Sequence, residues 1–336
     1  MPPETAEPRV IVITGANSGI GRRAGHQLAA LGHRVVLVCR NAVRAAAAVE
    51  AIREATGNGM VSAEIADLAD PGSVDALASR LQQCYDRVDT LINNAAVFDQ
   101  TATRTVTAAG HEVFWATNHL GPFQLAARLS GLLAASPDAR VVTIASKGLV
   151  VYPRIALRFD DLEAVTWFTP TKAYYHSKLA QVTFAAALAR RIAARDLLSL
   201  CLRVPAVRLD PDRLADMPLR LRLAYAPKNR LAASPERVAS TYAALAGGPR
   251  EHVEGLHGAY LDEGLQRVRA PRAAGDIAVQ DRLWEASLTA TSTPPSAFTP
   301  TRPTSRAPAD PIDARARLNA VDGTDNVRAS QSPCGG

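Results

Sequence analysis

Arg9-Val10-Ile11-Val12-Ile13-Thr14-Gly15-Ala16-Asn17-Ser18-Gly19-Ile20-Gly21 is a continuous apolar run that breaks into a glycine-rich turn, and an apolar-periodic helix follows through Leu31. A short apolar run ending at a glycine reads as a buried strand of a parallel sheet. Strand, glycine turn and helix in that order are the context a dinucleotide-binding turn requires. Glycine lets the backbone approach a pyrophosphate, and a helix N-terminus offers it unpaired N–H groups and a positive dipole end. Gly15, Asn17, Ser18, Gly19, Ile20 and Gly21 are therefore the expected cofactor contacts.

Gly32 ends that helix, and Arg34-Val35-Val36-Leu37-Val38-Cys39 is the second strand, followed by Arg40. In such sites an acidic residue near this strand end takes the ribose hydroxyls of NAD, whereas arginine accommodates a 2′-phosphate. Arg40 thus favours NADP(H), with Arg44 as a further candidate; the plainer alternative is a solvated arginine at a strand end.

The alternation of strands and helices continues. A helix over about 42–56 leads to a strand ending at Ala66-Asp67-Leu68, whose carboxyl end suits Asp67 and Leu68 to the adenine. A helix reaching about Tyr85 precedes Val88-Asp89-Thr90-Leu91-Ile92-Asn93-Asn94-Ala95-Ala96, a fourth strand that delivers Asn94 and Ala95 into a small-residue turn. A long helical pattern from about Thr107 to Ala135 carries Asn118 and, just after it, Gly121-Pro122. Both are locally unfavourable in a helix and predict a kink that frees backbone groups for a polar relay. Arg140-Val141-Val142-Thr143-Ile144-Ala145-Ser146 is the fifth strand and ends on a serine; the following stretch to Pro170 is irregular.

In Ala173-Tyr174-Tyr175-His176-Ser177-Lys178 a tyrosine stands four residues before one of only four lysines. On a helix, expected to run through Ala194, that spacing puts both side chains on one face. A free tyrosine titrates near pH 10, so a neighbouring ammonium that favours phenolate would bring it toward the working range. A chance pair on a solvated helix is the bland alternative.

Leu197–Val204 reads as a sixth strand ending at Pro205, and 206–234 as a substrate lid with an apolar underside. Ser234-Pro235-Glu236 starts a helix, Gly258–Leu261 is a short last strand, and Asp281–Leu288 a short last helix. Residues 1–8 read as a flexible N-terminus, 9–289 as one domain, and 290–336, rich in Thr, Ser, Pro and Arg, as a disordered tail.

Composition limits the function. The chain has 336 residues and a charge of +6, with arginines dispersed rather than blocked, so nucleic-acid binding is not supported. The cysteines and histidines lack metal-ligand spacing, so no metal is expected. No apolar run is long enough to span a membrane, and the N-terminus lacks the pattern of a signal peptide; the expectation is a cytoplasmic protein.

Taken together, the glycine turn, Asn93-Asn94-Ala95-Ala96, Ser146, and Tyr174 with Lys178 resemble the short-chain dehydrogenase/reductase family. Phe159-Asp160-Asp161-Leu162 and Asp281-Arg282-Leu283-Trp284-Glu285-Ala286-Ser287 look more narrowly like its retinol-dehydrogenase and WW-domain oxidoreductase branch. The resemblance implies an α/β Rossmann-type doubly wound parallel sheet of about seven strands. It also implies that Tyr174 is the acid/base, that Ser146 binds the substrate oxygen, and that Lys178 lowers the phenol pKa and holds the nicotinamide ribose. Asn118 would support a relay water, Pro205 and Val207 would contact the cofactor, and Lys147 and Leu209 would line the substrate space; Trp167 reads first as a packing group and second as a lining of the substrate entrance. A homodimer or homotetramer through the long fourth and fifth helices is common in relatives.

The sequence departs from the family where relatives carry Pro-Gly and a later threonine: here stand Pro205-Ala206-Val207-Arg208-Leu209. A Cβ at Ala206 is expected to narrow the turn, and Leu209 lacks the hydroxyl. The leading expectation is an NADP(H)-dependent oxidoreductase acting on the carbonyl or secondary alcohol of a large apolar small molecule such as a polyketide, terpenoid, steroid or retinoid. The alternatives are acid/base cyclisation, dehydration or isomerisation without redox, and a non-enzymatic NADP-binding protein.

Overall fold

Val10–Thr14 (β1), Arg34–Cys39 (β2), Val61–Ile65 (β3), Thr90–Asn93 (β4), Arg140–Ser146 (β5), Leu198–Val204 (β6) and Tyr260–Leu261 (β7) form one sheet in the order β3-β2-β1-β4-β5-β6-β7. The structure is a computed structural model describing residues 7–208 and 232–298. Every neighbouring pair is parallel, from Val10 opposite Arg34 to Leu202 opposite Leu261. The central strands are buried on both faces, which is why their sequences run apolar without alternation. Strand order reverses at β1, between β2 and β4, and that switch point opens a crevice at the carboxyl ends.

Helices cover both faces. Gly19–Ala30 (α1), Ala42–Thr56 (α2) and, later, Pro235–Gly247 pack on Ile11, Ile13, Val35 and Leu37. Pro71–Cys84 (α3), Gly121–Arg128 and Pro170–Arg191 pack on Val10, Val12, Val36 and Leu91. Local chemistry sets their starts: Asn41 Oδ1 accepts from Arg44 N, Asp70 caps the Pro71 start, and Thr169 caps the Pro170 start.

The expected long helix from Thr107 is shorter and composite. Val106 and Glu112 form an antiparallel bridge, and Val113–Trp115 (α4) begins where the Glu112 carboxylate accepts from Phe114 N and Trp115 N. A π-helical turn, Ala116–Leu120, then leads into Gly121–Arg128 (α5) and Ser130–Ala134 (α6). The kink expected at Asn118 is thus a π turn, a form that concentrates at functional sites. Gly121 is required here, because a Cβ at that position would sit 2.2 Å from the Leu68 carbonyl oxygen.

Pro170–Arg191 is α7, shorter than expected at its C-terminus, and Pro235–Gly247 is α8. Ser234 occupies the N-cap position of α8, but its hydroxyl bonds Glu236 rather than a backbone N–H. Arg272–Gly275 (α9) precedes Ile277–Ala290 (α10), which starts earlier than the sequence suggested because Asp276 caps Ala278 N and Val279 N.

The packed region also continues past the expected boundary at 289. Phe298 is buried against Trp284, with ring centroids 4.6 Å apart. Trp284 in turn meets Phe184 of α7 and Phe123 of α5. Trp284 of α10 thus covers the aromatic side chains that α5 and α7 present on this side. Among the described residues no helix is long and apolar enough to cross a membrane, and no group of acidic, His or Cys residues could hold a metal. The lid reading falls mainly on 209–231, including Leu209, and the tail reading mainly on 299–336; both lie outside the described residues.

Candidate active site

One cleft of about 780 Å3 runs along the carboxyl ends of the strands. The glycine turn forms its floor. Gly15 has φ +67°, and a Cβ there would lie 2.8 Å from Ala95 Cα. A Cβ on Gly21 would lie 2.6 Å from Asn94 Nδ2, so the helix start and the turn after β4 meet through glycine. Thr14 Oγ1 accepts from Asn94 N and Ala95 N, both at 3.0 Å. Asn94 Nδ2 donates to Thr14 O at 2.8 Å and Gly15 O at 3.2 Å, and its Oδ1 accepts from Tyr242 at 3.1 Å. Asn94 is thus a brace between three elements.

Gly15, Asn17, Ser18, Gly19, Ile20, Gly21, Arg40, Asp67, Leu68, Asn94, Ala95, Ser146, Lys147, Tyr174, Lys178, Pro205 and Val207 all line this cleft. Arg40 is exposed at its rim, beside Arg44 and Arg23. Burial raises the Cys39 thiol to about 11, despite backbone hydrogen bonds from Ala16 and Asn17, so it stays neutral under the turn.

The turn after β6 bears on the altered Pro205-Ala206 pattern. Ala206 does not take a positive φ, and it is exposed, so its Cβ meets no conformational penalty. Val207 forms a parallel bridge to Ala233, closed by Ala233 N to Ala206 O (2.9 Å) and Arg208 N to Ala233 O (3.0 Å). In such a bridge the flanking residues make the bonds, so Val207's own N–H and C=O face the other way.

Tyr174 and Lys178 share one face of α7 as the spacing required, but their electrostatics differ from the expectation. Burial and the neighbouring Tyr175 push the Tyr174 phenol up to about 12, against the lowering influence of the Ser146 hydroxyl. The ammonium does not counter this. Lys178 Nζ donates to Ile144 O at 2.9 Å and Gln181 Oε1 at 2.8 Å, and lies 5.7 Å from the Tyr174 ring centroid. Burial lowers Lys178 to about 7.

Asn118 is brought to the site but is spent on protein partners. Its Oδ1 accepts from Val97 N at 2.7 Å, and its Nδ2 donates to Val97 O at 3.1 Å and Ser177 Oγ at 3.0 Å. It fixes the turn that carries Phe98, whose ring centroid is 4.3 Å from that of Tyr174. Trp167, read second as a lining of the substrate entrance, stands outside the cleft. Its Nε1 donates to Asp161 O at 2.9 Å and its ring packs on His176 and Arg158. Indole needs both a partner for its N–H and an apolar bed, and the local loop supplies them.

Sequence reasoning missed Gln181, Tyr242 and Phe98. Gln181 carried a signal, a polar residue three positions after the lysine on an otherwise apolar face; for Tyr242 and Phe98 only the packing shows it.

The sequence matches the short chain dehydrogenase family over residues 9–156. The chain is 34% identical over 295 residues to mouse retinol dehydrogenase 14, covering 83% of this chain and 84% of that one. It is likewise 34% identical over 295 residues to human retinol dehydrogenase 13, with 84% of each covered. A crystal structure of an uncharacterized protein from Mycobacterium paratuberculosis superposes with a TM-score of 0.62 at 26% identity, covering 85% of this chain and 94% of that one. The glycine turn at the switch point, the hydroxyls of Ser146 and Tyr174 in one cleft, and relatives matched along most of their length give one answer: the chain belongs to the short-chain dehydrogenase/reductase family of oxidoreductases.

Proposed function

We propose that the chain is an NADP(H)-dependent oxidoreductase of carbonyl compounds and secondary alcohols, with large apolar molecules as substrates and Tyr174 as the acid/base. The observation that carries this reading is that the Ser146 and Tyr174 hydroxyls line the same cleft as the glycine turn and Lys178. The residues fit such a cofactor. Gly15 and Gly21 let the turn close against Ala95 and Asn94, Gly19 borders open space in the cleft, and Arg40 and Arg44 offer guanidinium groups to a 2′-phosphate. Val207 N–H and C=O suit a carboxamide, which answers the loss of the family's glycine and threonine. A nicotinamide dinucleotide, when bound, supplies or accepts the hydride.

Ser146 donates to the substrate oxygen, and Tyr174 delivers the proton that this oxygen needs as charge develops on it. A phenol pushed up to about 12 carries its proton at neutral pH, the state a donor requires. Phe98 and Val151, both exposed at the cleft, form an apolar mouth suited to a large apolar substrate. The non-redox alternative draws its motive from Pro205-Ala206 and Leu209; Ala206 takes no positive φ, which favours the redox reading at that residue.

Fluorescence titration with NADPH and NADH tests the cofactor, and carbonyl-dependent NADPH oxidation tests the chemistry. Arg40→Ala should weaken NADPH binding by more than about tenfold, roughly 1.4 kcal/mol. Tyr174→Phe should lower turnover by about 10²–10⁴. Equal affinity for both dinucleotides in wild type and variant would overturn the NADP assignment; a fully active Tyr174→Phe would overturn the role of the tyrosine.

A further inference from the structure

Gln181 is a buried glutamine with an unbalanced set of partners. It is 1% exposed, its Oε1 accepts from Lys178 Nζ at 2.8 Å, and its Nε2 has no hydrogen-bond partner among the described residues. An unsatisfied buried amide is costly, and a leucine or methionine would fill the same space without that cost. Flipped, its N–H groups would face the Lys178 nitrogen, which can accept only as the neutral amine, so the charged lysine selects the amide oxygen. Its orientation is set by Lys178. Gln181 follows Lys178 by three residues on α7, and helical side chains lean toward the N-terminus, so the carboxamide reaches back over the lysine.

We propose that Gln181 is the positioning residue of Lys178: its carboxamide oxygen and the Ile144 carbonyl hold two of the three ammonium donors and leave the third for the cleft. The groups that face Lys178 support this division of labour. Tyr174 lies on the same helix, and from β6 the Cys201 thiol is held up to about 12 by burial, so it brings no counter-charge. Two neutral oxygens are thus the ammonium's support. A dipole partner holds the charge in place without fixing it, whereas a carboxylate would lock it. The inference deepens the oxidoreductase reading in that Lys178 serves the Tyr174 proton and a ribose, but its geometry stands without a bound dinucleotide.

The test reads Lys178 directly. The chain has only four lysines, Lys147, Lys172, Lys178 and Lys228, so ¹³Cε-lysine labelling gives a simple spectrum in which Lys178→Met identifies one resonance. Its titration midpoint should fall by about one unit or more in Gln181→Met and rise by about one unit or more in Gln181→Glu, a tenfold change in proton affinity each way. Gln181→Asn should fall between wild type and Gln181→Met. In the same proteins the pH limb of NADPH-dependent reduction should move with the midpoint, while thermal stability of Gln181→Met is unchanged or higher. Midpoints that stay within about 0.3 units in both Met and Glu variants overturn the proposal. Shifted midpoints in a protein that oxidises no NADPH would keep Gln181 as the partner of Lys178 and overturn the redox reading instead.

Discussion

The Tyr242 hydroxyl donates to Asn94 Oδ1 at 3.1 Å, joining α8 to the turn after β4 at the floor of the cleft. With Nδ2 spent on Thr14 and Gly15, this bond completes the Asn94 amide, and burial keeps the Tyr242 phenol neutral. Tyr242→Phe leaves that oxygen unpaired in a buried place. Urea unfolding should show a loss of about 1–3 kcal/mol, and NADPH titration a weaker dinucleotide site, because the turn that meets Gly15 loses its outer support.

Phe98 is 48% exposed yet lies over the ring of Tyr174, held there by the Asn118 clamp on Val97. It lines the cleft beside the Tyr174 ring. Phe98→Ala should raise KM for bulky apolar ketones by about tenfold, the loss of roughly 1.4 kcal/mol of apolar contact, while leaving the Kd for NADPH unchanged. An equal effect on small and large ketones would remove Phe98 from substrate selection.

His119 Nε2 lies 2.8 Å from Ser287 Oγ and fastens the π turn to α10. Burial pushes His119 down to about 3, and burial with the nearby Arg158 pushes His176 down to about 4. Both stay neutral in the folded chain while the unfolded chain takes up protons near the ordinary histidine value. Their contribution to stability is complete above about pH 6.5 and is lost as pH falls toward 4, by at most about 1.4 kcal/mol per pH unit for each ring. Chemical unfolding between pH 7 and 4.5 should show this slope, and His119→Asn should flatten it.

The rings of Phe123, Phe184, Trp284 and Phe298 form one buried cluster that α10 completes. Arg190 and Arg191 bind Asp281, and Arg191 lies 4.4 Å over the Trp284 ring. Light scattering should find the full chain monomeric, since α10 of the same chain covers the aromatic surface of α5 and α7. A chain ending before Asp276 should self-associate, having exposed aromatic surface worth about 1.5–3 kcal/mol per side chain.

Much of the fold was legible in local chemistry. β2, α2 and β5 have the limits their apolar runs and caps imply, because a strand buried on both faces reads as a run and a capped helix reads at its ends. The limits of α10 were misread, since Asp276 as a cap matters only once the helix has a surface to lie on.

The sequence by itself determined the parallel sheet, the glycine turn at its switch point and the pairing of Tyr174 with Lys178 on one helix face, for these follow from period, spacing and strand ends; that Ser146 joins them in one cleft was implied only by the family resemblance. Tertiary structure decided the state of those groups. Spacing on α7 puts an ammonium near a phenol, but burial sets the phenol near 12 and hands the ammonium to Ile144 and Gln181. The Asn118 amide goes to Val97 and Ser177, and Trp167 to a loop of its own. Partners and desolvation depend on what other segments bring to a point in space, and that information is not local to any stretch of the chain.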